Sequence, residues 1–414
     1  MFSPLMESHR MRLSAANLTR SSCLLLLVFP FLFVANAIAQ DASLSRQGAD
    51  TVLTIWKDYP GATAGRTPRW TYEQGVVLLG ITQVWKKTGD QKYFDYIRQT
   101  LDHYVADDGT IRTYRAEEYN LDNVLLGRML LLLYRETKAE KYRKAADLVR
   151  SQLSKHPRTS EGGFWHKQIY PSQMWLDGLY MAEPFYAEYA ATFHEDAAFD
   201  DIAKQFILAE RHTRDDKTGL LYHGWDESRK QRWSDPTTGR SPNFWGRALG
   251  WYAMALVDTL DYFPKTHPKR AELIAILKRL ATAVAKYQDQ KSGLWYQVVD
   301  KAESKGNYFE ASAAAMFVYA LAKGAHMKYL PASSLGVAEK AYRAMLSQFV
   351  ETKPDGLVDY KGTVSVAGLG GNPYRDGSYE YYLSEKVVTN DPKGYGAFIM
   401  AAAEMEPSAR KKKK

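Results

Sequence analysis

The sequence holds a single cysteine, Cys23, and it lies in an apolar stretch near the amino end. The rest of the chain has no disulfide framework and no thiolate zinc site, so it must rely on a large core of its own. Metal-binding spacings are missing too. No His-x3-His pair and no dense run of oxygen ligands occurs, so neither catalytic zinc nor calcium is indicated and no cofactor is expected. Proline and glycine never concentrate into a linker, which argues for one domain. Charge of one sign is scarce as well. The formal +8 falls to +6 without residues 1–39, and Arg410 with Lys411–Lys414 supplies five of those charges. A body so near neutrality carries no nucleic-acid footprint. The basic end, 408–414, reads as a solvated disordered tail.

No apolar run is long enough to span a bilayer. Cys23–Val34 covers about a dozen residues, and polar Gln40-Asp41 follows soon after. With Arg10, Arg12 and Arg20 before it and Ala37-Ile38-Ala39 behind it, this segment has the parts of a Sec signal peptide over residues 1–39. Met1, Met6 and Met11 all offer starts. Export to the periplasm or the cell exterior is the expectation, with 40–407 as the folded domain.

Aromatic residues are abundant: 28 Tyr, 16 Phe and 10 Trp. They suit sugar faces and ordinary cores alike. The apolar pattern alternates between two kinds of helix. One kind is amphipathic, as in Leu273, Ile276, Leu277, Leu280, Val284 and Tyr287, or Tyr142, Ala145, Ala146, Val149 and Leu153. The other is apolar almost all round: Tyr72–Trp85, Leu121–Tyr134, Met174–Tyr189, Phe244–Leu260, Phe309–Ala322 and Tyr395–Met405. The outer partner of the last is expected from Leu44–Trp56. Each of five outer helices is followed by a glycine and apolar residues, at Gly109, Gly162, Gly219, Gly293 and Gly356. Glycine there suits a left-handed stop, and a short extended piece should follow. Six repeats of inner helix, outer helix and loop predict an all-α (α/α)6 barrel, a toroid of six helical hairpins. An open solenoid is the competing architecture.

The inner helices carry charges that an ordinary core would not hold unpaired. These are Asp122, Asp177, Arg247 and Glu310, and all should face one central mouth. A helix cap or first-turn acid is the structural alternative for each, and Glu310 fits it best. His166 and His223 follow Trp165 and Tyr222 in equivalent places of consecutive loops.

From Gly163-Phe164-Trp165-His166 to Met174-Trp175-Leu176-Asp177-Gly178, the chain resembles the unsaturated rhamnogalacturonyl hydrolases, glycoside hydrolase family 105, also called YteR-like. Trp245-Gly246-Arg247, Tyr308-Phe309-Glu310 and Gly370-Gly371-Asn372-Pro373-Tyr374-Arg375-Asp376 match in order. The likeness runs from about Trp56 to Met405. It implies an (α/α)6 barrel acting on a small oligosaccharide whose terminal uronic acid carries a C4=C5 double bond. It also implies Asp177 as catalytic acid and Asp122 as the second central acid. Ligand contacts fall on Tyr72, His166, Lys167, His223, Arg247, Trp251, Tyr374 and Arg375. Ala248-Leu249 stand where the family pattern has Gly-Asn, which leaves the aglycone open.

Such a reaction needs a carboxyl group that delivers a proton to C4, and Asp122 is expected to raise the proton affinity of Asp177. Arg247 or Arg375 would hold the substrate carboxylate, and Trp175, Trp245 and Trp251 would supply platforms. The enzyme would act as a monomer or homodimer on small sugars. A glucuronyl hydrolase, a lyase or epimerase on the same toroid, and a helical sugar-binding scaffold remain the alternatives.

Overall fold

The computed structural model describes residues 43–62 and 67–407. The expected signal peptide and basic tail lie outside them. Among the described residues, twelve long helices form six hairpins. The inner helices are α2 (Tyr72–Thr88), α4 (Gly127–Thr137), α6 (Leu176–Phe193), α8 (Gly246–Thr259), α10 (Ala311–His326) and α13 (Pro392–Met405). The outer ones are α1 (Leu44–Ile55), α3 (Gln91–Asp102), α5 (Glu140–Lys155), α7 (Ala198–Thr213), α9 (Arg270–Lys286) and α11 (Ser333–Phe349). A short α12 (Tyr379–Ser384) rides on the last long loop. Among the described residues no helix is long and apolar enough to cross a membrane.

The two classes bury different surfaces for the reason their patterns give. In α9 the buried residues include Leu273, Ile276, Leu277, Leu280 and Val284, which fall on one stripe. In α10 every residue from Ala311 to Gly324 is buried, because it touches neighbours on all sides. The inner helices pack in chain order, and α2 meets α13 to close the ring. Closure depends on bare backbone. A Cβ on Gly396 would lie 2.5 Å from the carbonyl carbon and oxygen of Val76, and one on Gly80 would lie 3.0 Å from the Gly396 carbonyl oxygen. The first and last inner helices thus pack backbone to backbone, and the solenoid alternative falls. The sixth hairpin joins the two ends of the chain, as expected. The Ser45 N–H and hydroxyl donate to Glu406 at 2.8 and 2.6 Å.

All five loop glycines have positive φ, between 77° and 95°. Short extended pieces follow them and pair locally. Four inner helices, α4, α6, α8 and α10, begin later than the apolar pattern suggests, and in two of them the preceding residues form another structure. Residues Leu121–Asn123 form a 3-10 turn ahead of α4, so Asp122 precedes the helix proper. Gln173–Trp175 is a strand, β1, paired antiparallel with β2 (Gly224–Asp226). Both segments are drawn out of helix by backbone bonds to neighbouring loops, which supply partners that the 3.6-residue pattern does not reveal.

The axis of the barrel is filled, on the side away from the loops described below, by a buried ionic network. Lys323 Nζ donates to Asp258 Oδ1 at 2.7 Å and to Asp261 Oδ2 at 2.6 Å. Arg128 Nη1 donates to the other Asp258 oxygen at 2.8 Å and lies near Glu188. Burial opposes ionisation of Asp258, but the Lys323 and Arg128 cations outweigh it and hold the carboxyl well below its usual value. None of these residues stood out in the sequence.

Candidate active site

A ladder of backbone bonds builds the mouth of the barrel. The Leu121 N–H donates to the His166 carbonyl at 3.1 Å, and the Leu176 N–H to the His223 carbonyl at 3.0 Å. Gly246 donates to Gln297 and Ala311 to Gly362, each at 3.0 Å. Four successive repeats therefore share one rung. The residue after each donor is Asp122, Asp177, Arg247 and Ser312. Glu310 belongs one place earlier, level with Trp175 and Trp245. Its carboxylate caps α10 by accepting from the Ala313 N–H at 2.7 Å, and it also accepts from Ser312 Oγ. The cap alternative holds for Glu310.

The rung brings the two expected acids to the two expected histidines. Asp122 Oδ1 lies 3.6 Å from His166 Nε2, and Asp177 Oδ2 lies 3.1 Å from His223 Nε2. Neither atom of the second pair completes a hydrogen bond, because distance is met and alignment is not. Tyr382 fixes the ring of His223: its hydroxyl lies 2.8 Å from Nδ1. Burial pushes the Tyr382 phenol far up, so the hydroxyl keeps its proton and is able both to donate and to accept at Nδ1. Gly178 admits His166 against the first turn of α6. A Cβ there would lie 3.0 Å from Leu121 Cδ1 and 3.1 Å from His166 Nδ1.

Lys167 changes the expected part of Asp122. Its ammonium sits 2.5 Å from Asp122 Oδ2. Burial works against the Asp122 anion, yet Lys167 and His166 together hold its carboxyl below the usual range. Asp122 is an ionised group with its charge already balanced, not the bare anion that would lift a neighbouring acid. His166, buried among these charges, is pushed down to about 4 by burial, despite the opposing pull of Asp122. It is a neutral ring at ordinary pH.

The three tryptophans are walls more than open platforms. Trp175, Trp245 and Trp251 are 5%, 1% and 1% exposed. Trp175 stacks on His166 at 4.4 Å and on Tyr170 at 5.0 Å. Trp245 backs His223 at 4.8 Å, and Trp251 stacks on Tyr180 and turns an edge to Tyr72. Arg247 is also committed. It donates to the Val364 carbonyl and to Ser312 Oγ under Trp245, leaving Nε without a partner. Arg375 sits further out, half-buried, with Nη2 donating to Tyr170 Oη at 2.9 Å. The Tyr374 hydroxyl accepts the Trp233 N–H at 3.0 Å.

Gln297, Tyr382, Tyr170 and Trp233 are site-building residues the sequence reading missed. Gln297 had a signal: it follows Gly293-Leu294-Trp295-Tyr296 as His166 and His223 follow their own loops. Its carboxamide accepts from Trp245 Nε1 at 3.2 Å and donates to the Tyr382 carbonyl at 3.1 Å. Among the described residues no three His, Cys, Asp or Glu side chains gather as a metal site.

Residues 48–409 match Glycosyl Hydrolase Family 88. The chain belongs to that family. This hydrolase is similar to a solved glycoside hydrolase from family 105 of Clostridium acetobutylicum ATCC 824. The two are 48% identical with a TM-score of 0.84, over 88% of this chain and 99% of the other. That likeness bears out the resemblance to family 105. The family 88 hydrolase is also 28% identical to the unsaturated rhamnogalacturonyl hydrolase YesR of Bacillus subtilis over 258 residues, 61% of this chain and 70% of that one. Protein Atu3128 of Agrobacterium fabrum is 44% identical over 230 residues, 54% of this chain and 97% of that protein. The protein is therefore an enzyme, a glycoside hydrolase.

Proposed function

We propose that the enzyme is an unsaturated rhamnogalacturonyl hydrolase, releasing the aglycone from a terminal uronide that bears a C4=C5 double bond. The paired placement of Asp122 and Asp177 on equivalent rungs at one mouth carries this reading, and the similarity to YesR supports the choice of uronide.

In the proposed reaction Asp177 gives its proton to C4. The double-bond electrons form the new C4–H bond and leave an oxocarbenium between C5 and the ring oxygen. Water adds to C5 and returns a proton to Asp177. The resulting hemiketal opens by breaking the bond from C5 to the ring oxygen, giving a ketone. The hemiacetal left at C1 then loses the aglycone as a free hydroxyl. The His223 ring faces Asp177 Oδ2 at 3.1 Å, and the carboxyl delivers its proton to the substrate as general acid. Asp122, charge-balanced by Lys167, orients sugar hydroxyls together with His166. Tyr72, Arg247 and Trp251 line the inner end. Arg375, the less buried of the two arginines, receives the substrate carboxylate, with Tyr374 at its side. The basic, apolar and small-residue order of residues 1–39 supports export.

Incubation with a panel of lyase-generated disaccharides tests the function, read as loss of the ultraviolet absorbance of the conjugated alkene. Absorbance loss fastest on the galacturonyl-rhamnose member is the expected result. Loss on none of the panel removes the reading.

A further inference from the structure

Beyond the central acids the mouth carries a second aromatic group, of which the proposed chemistry uses only Tyr374. Trp175, Trp233 and Leu369 form a small buried cluster of their own, with Tyr170 and Tyr374 packed against it. The cluster runs outward from the ring that stacks on His166 to the loop after β2. That loop is a built structure. The buried Asp226 carboxylate accepts from the backbone of Ser228, Lys230 and Gln231 at 3.0, 2.9 and 2.9 Å. The turn it fixes presents Arg232, whose guanidinium lies 3.8 Å above the Tyr374 ring. The Tyr374 hydroxyl in turn accepts from the Trp233 backbone N–H, so ring and loop hold each other.

Arg232 is exposed, and among the described residues no carboxylate lies within ion-pair distance of it. Stacking on an aromatic face restrains the guanidinium and leaves its edge N–H groups free to bind a planar anion. A surface arginine normally wanders. This one is fixed, unpaired, and placed at the outer end of the aromatic group that begins at the catalytic mouth.

We infer that Arg232, seated on Tyr374, is a specificity-determining residue that receives the carboxylate of a second uronic acid in an oligosaccharide longer than a disaccharide. The inference rests on the proposed orientation of substrate, reactive uronide at Asp177 and aglycone outward past Trp175. The favoured substrate class is an unsaturated acidic oligosaccharide in which a neutral sugar separates two uronates. The enzyme would then act on the direct products of a polysaccharide lyase before their trimming to disaccharides.

Three probes test it with the intact enzyme: the unsaturated disaccharide with a neutral aglycone, the tetrasaccharide with a second uronate, and that tetrasaccharide with the second carboxyl methyl-esterified. Wild type should show a KM about 3- to 10-fold lower for the acidic tetrasaccharide than for its ester, and the gap should shrink with added salt. Arg232→Ala should abolish the gap while leaving disaccharide kcat and KM unchanged. Arg232→Lys, which keeps charge but loses the planar stack, should retain part of it. Equal KM values for acid and ester in wild type, or a gap that survives Arg232→Ala, overturns the inference. Binding of the saturated acidic tetrasaccharide, measured by calorimetry on the same variants, is independent of turnover. It reads the subsite even if the proposed reaction fails on every substrate.

Discussion

His166 and His223 stand in the same relation to the two central acids. The carbonyl of each accepts an N–H from the residue just before an aspartate, and Nε2 of each faces that aspartate's carboxylate, at 3.6 Å for Asp122 and 3.1 Å for Asp177. The repeat thus places backbone and side chain together. One turn of the toroid copies a histidine–aspartate pair onto the next, and Lys167 then makes the copies unequal by neutralising only Asp122. In the proposed reaction the two similar pairs take two roles, an anchor and a proton donor.

Asp177→Asn should fold with an unchanged melting temperature and lose about 10²–10⁴-fold in kcat, since an amide has no proton to give. Steady-state rates on the best disaccharide of the panel check this. Activity within a few-fold of wild type removes Asp177 from the mechanism.

Asp122→Asn leaves the Lys167 ammonium without its counter-ion. Unbalanced positive charge favours the ionised form of nearby carboxyls, so the alkaline limb of the pH–rate profile should move to lower pH. The double variant Asp122→Asn/Lys167→Met restores neutrality and should move the limb back most of the way. Limbs in both variants that coincide with that of wild type would mean that Asp122 acts on hydroxyls alone.

Much of the fold could be read from the pattern of apolar residues, because a helix buried on all sides and one buried on a stripe differ in composition. The boundaries at Leu121 and Met174 were not readable. Those residues are apolar as a helix requires, and only the neighbouring loops, through the bonds of Leu121 to His166 and of β1 to β2, decide otherwise. Asp122, Asp177, His166 and His223 showed in sequence because polar residues in apolar surroundings recur at one repeat position. Asp258 and Lys323 were hidden: each sits near a helix end, where a charge looks ordinary, and the two partners are 65 residues apart. The pairing of Lys167 with Asp122 joins the two ends of one repeat, across both of its helices, and left no local mark.

Asp258→Ala would leave Lys323 and Arg128 buried with less opposing charge. Breaking a buried ion pair from one side costs about 3–5 kcal/mol. A urea titration should show that loss, with KM of the remaining folded enzyme unchanged. A stability change below about 1 kcal/mol would show the network to be dispensable.

Two buried histidines give stability a pH dependence. His156 donates through Nε2 to the Trp165 carbonyl at 2.7 Å, and its Nδ1 has no hydrogen-bond partner among the described residues. Burial pushes both His156 and His166 down to about 4. Between that value and the ordinary histidine value near 6.5 the unfolded chain binds protons that the folded chain refuses. Their contribution is complete above about pH 6.5 and is lost as pH falls towards 4, on the order of 3 kcal/mol for each. His156→Gln keeps a donor for Trp165 and should flatten the acid slope of the urea midpoint. An unchanged slope contradicts the assignment.

The central claim is that water enters at C5 of an unsaturated uronide, where ordinary glycosidases break the bond at C1. Turnover in heavy-oxygen water, with the product trapped before its carbonyls exchange, decides it. The account predicts first incorporation of label at C5 and an unlabelled C1. Early label at C1 would contradict it and return Asp122 and Asp177 to a conventional acid–base pair.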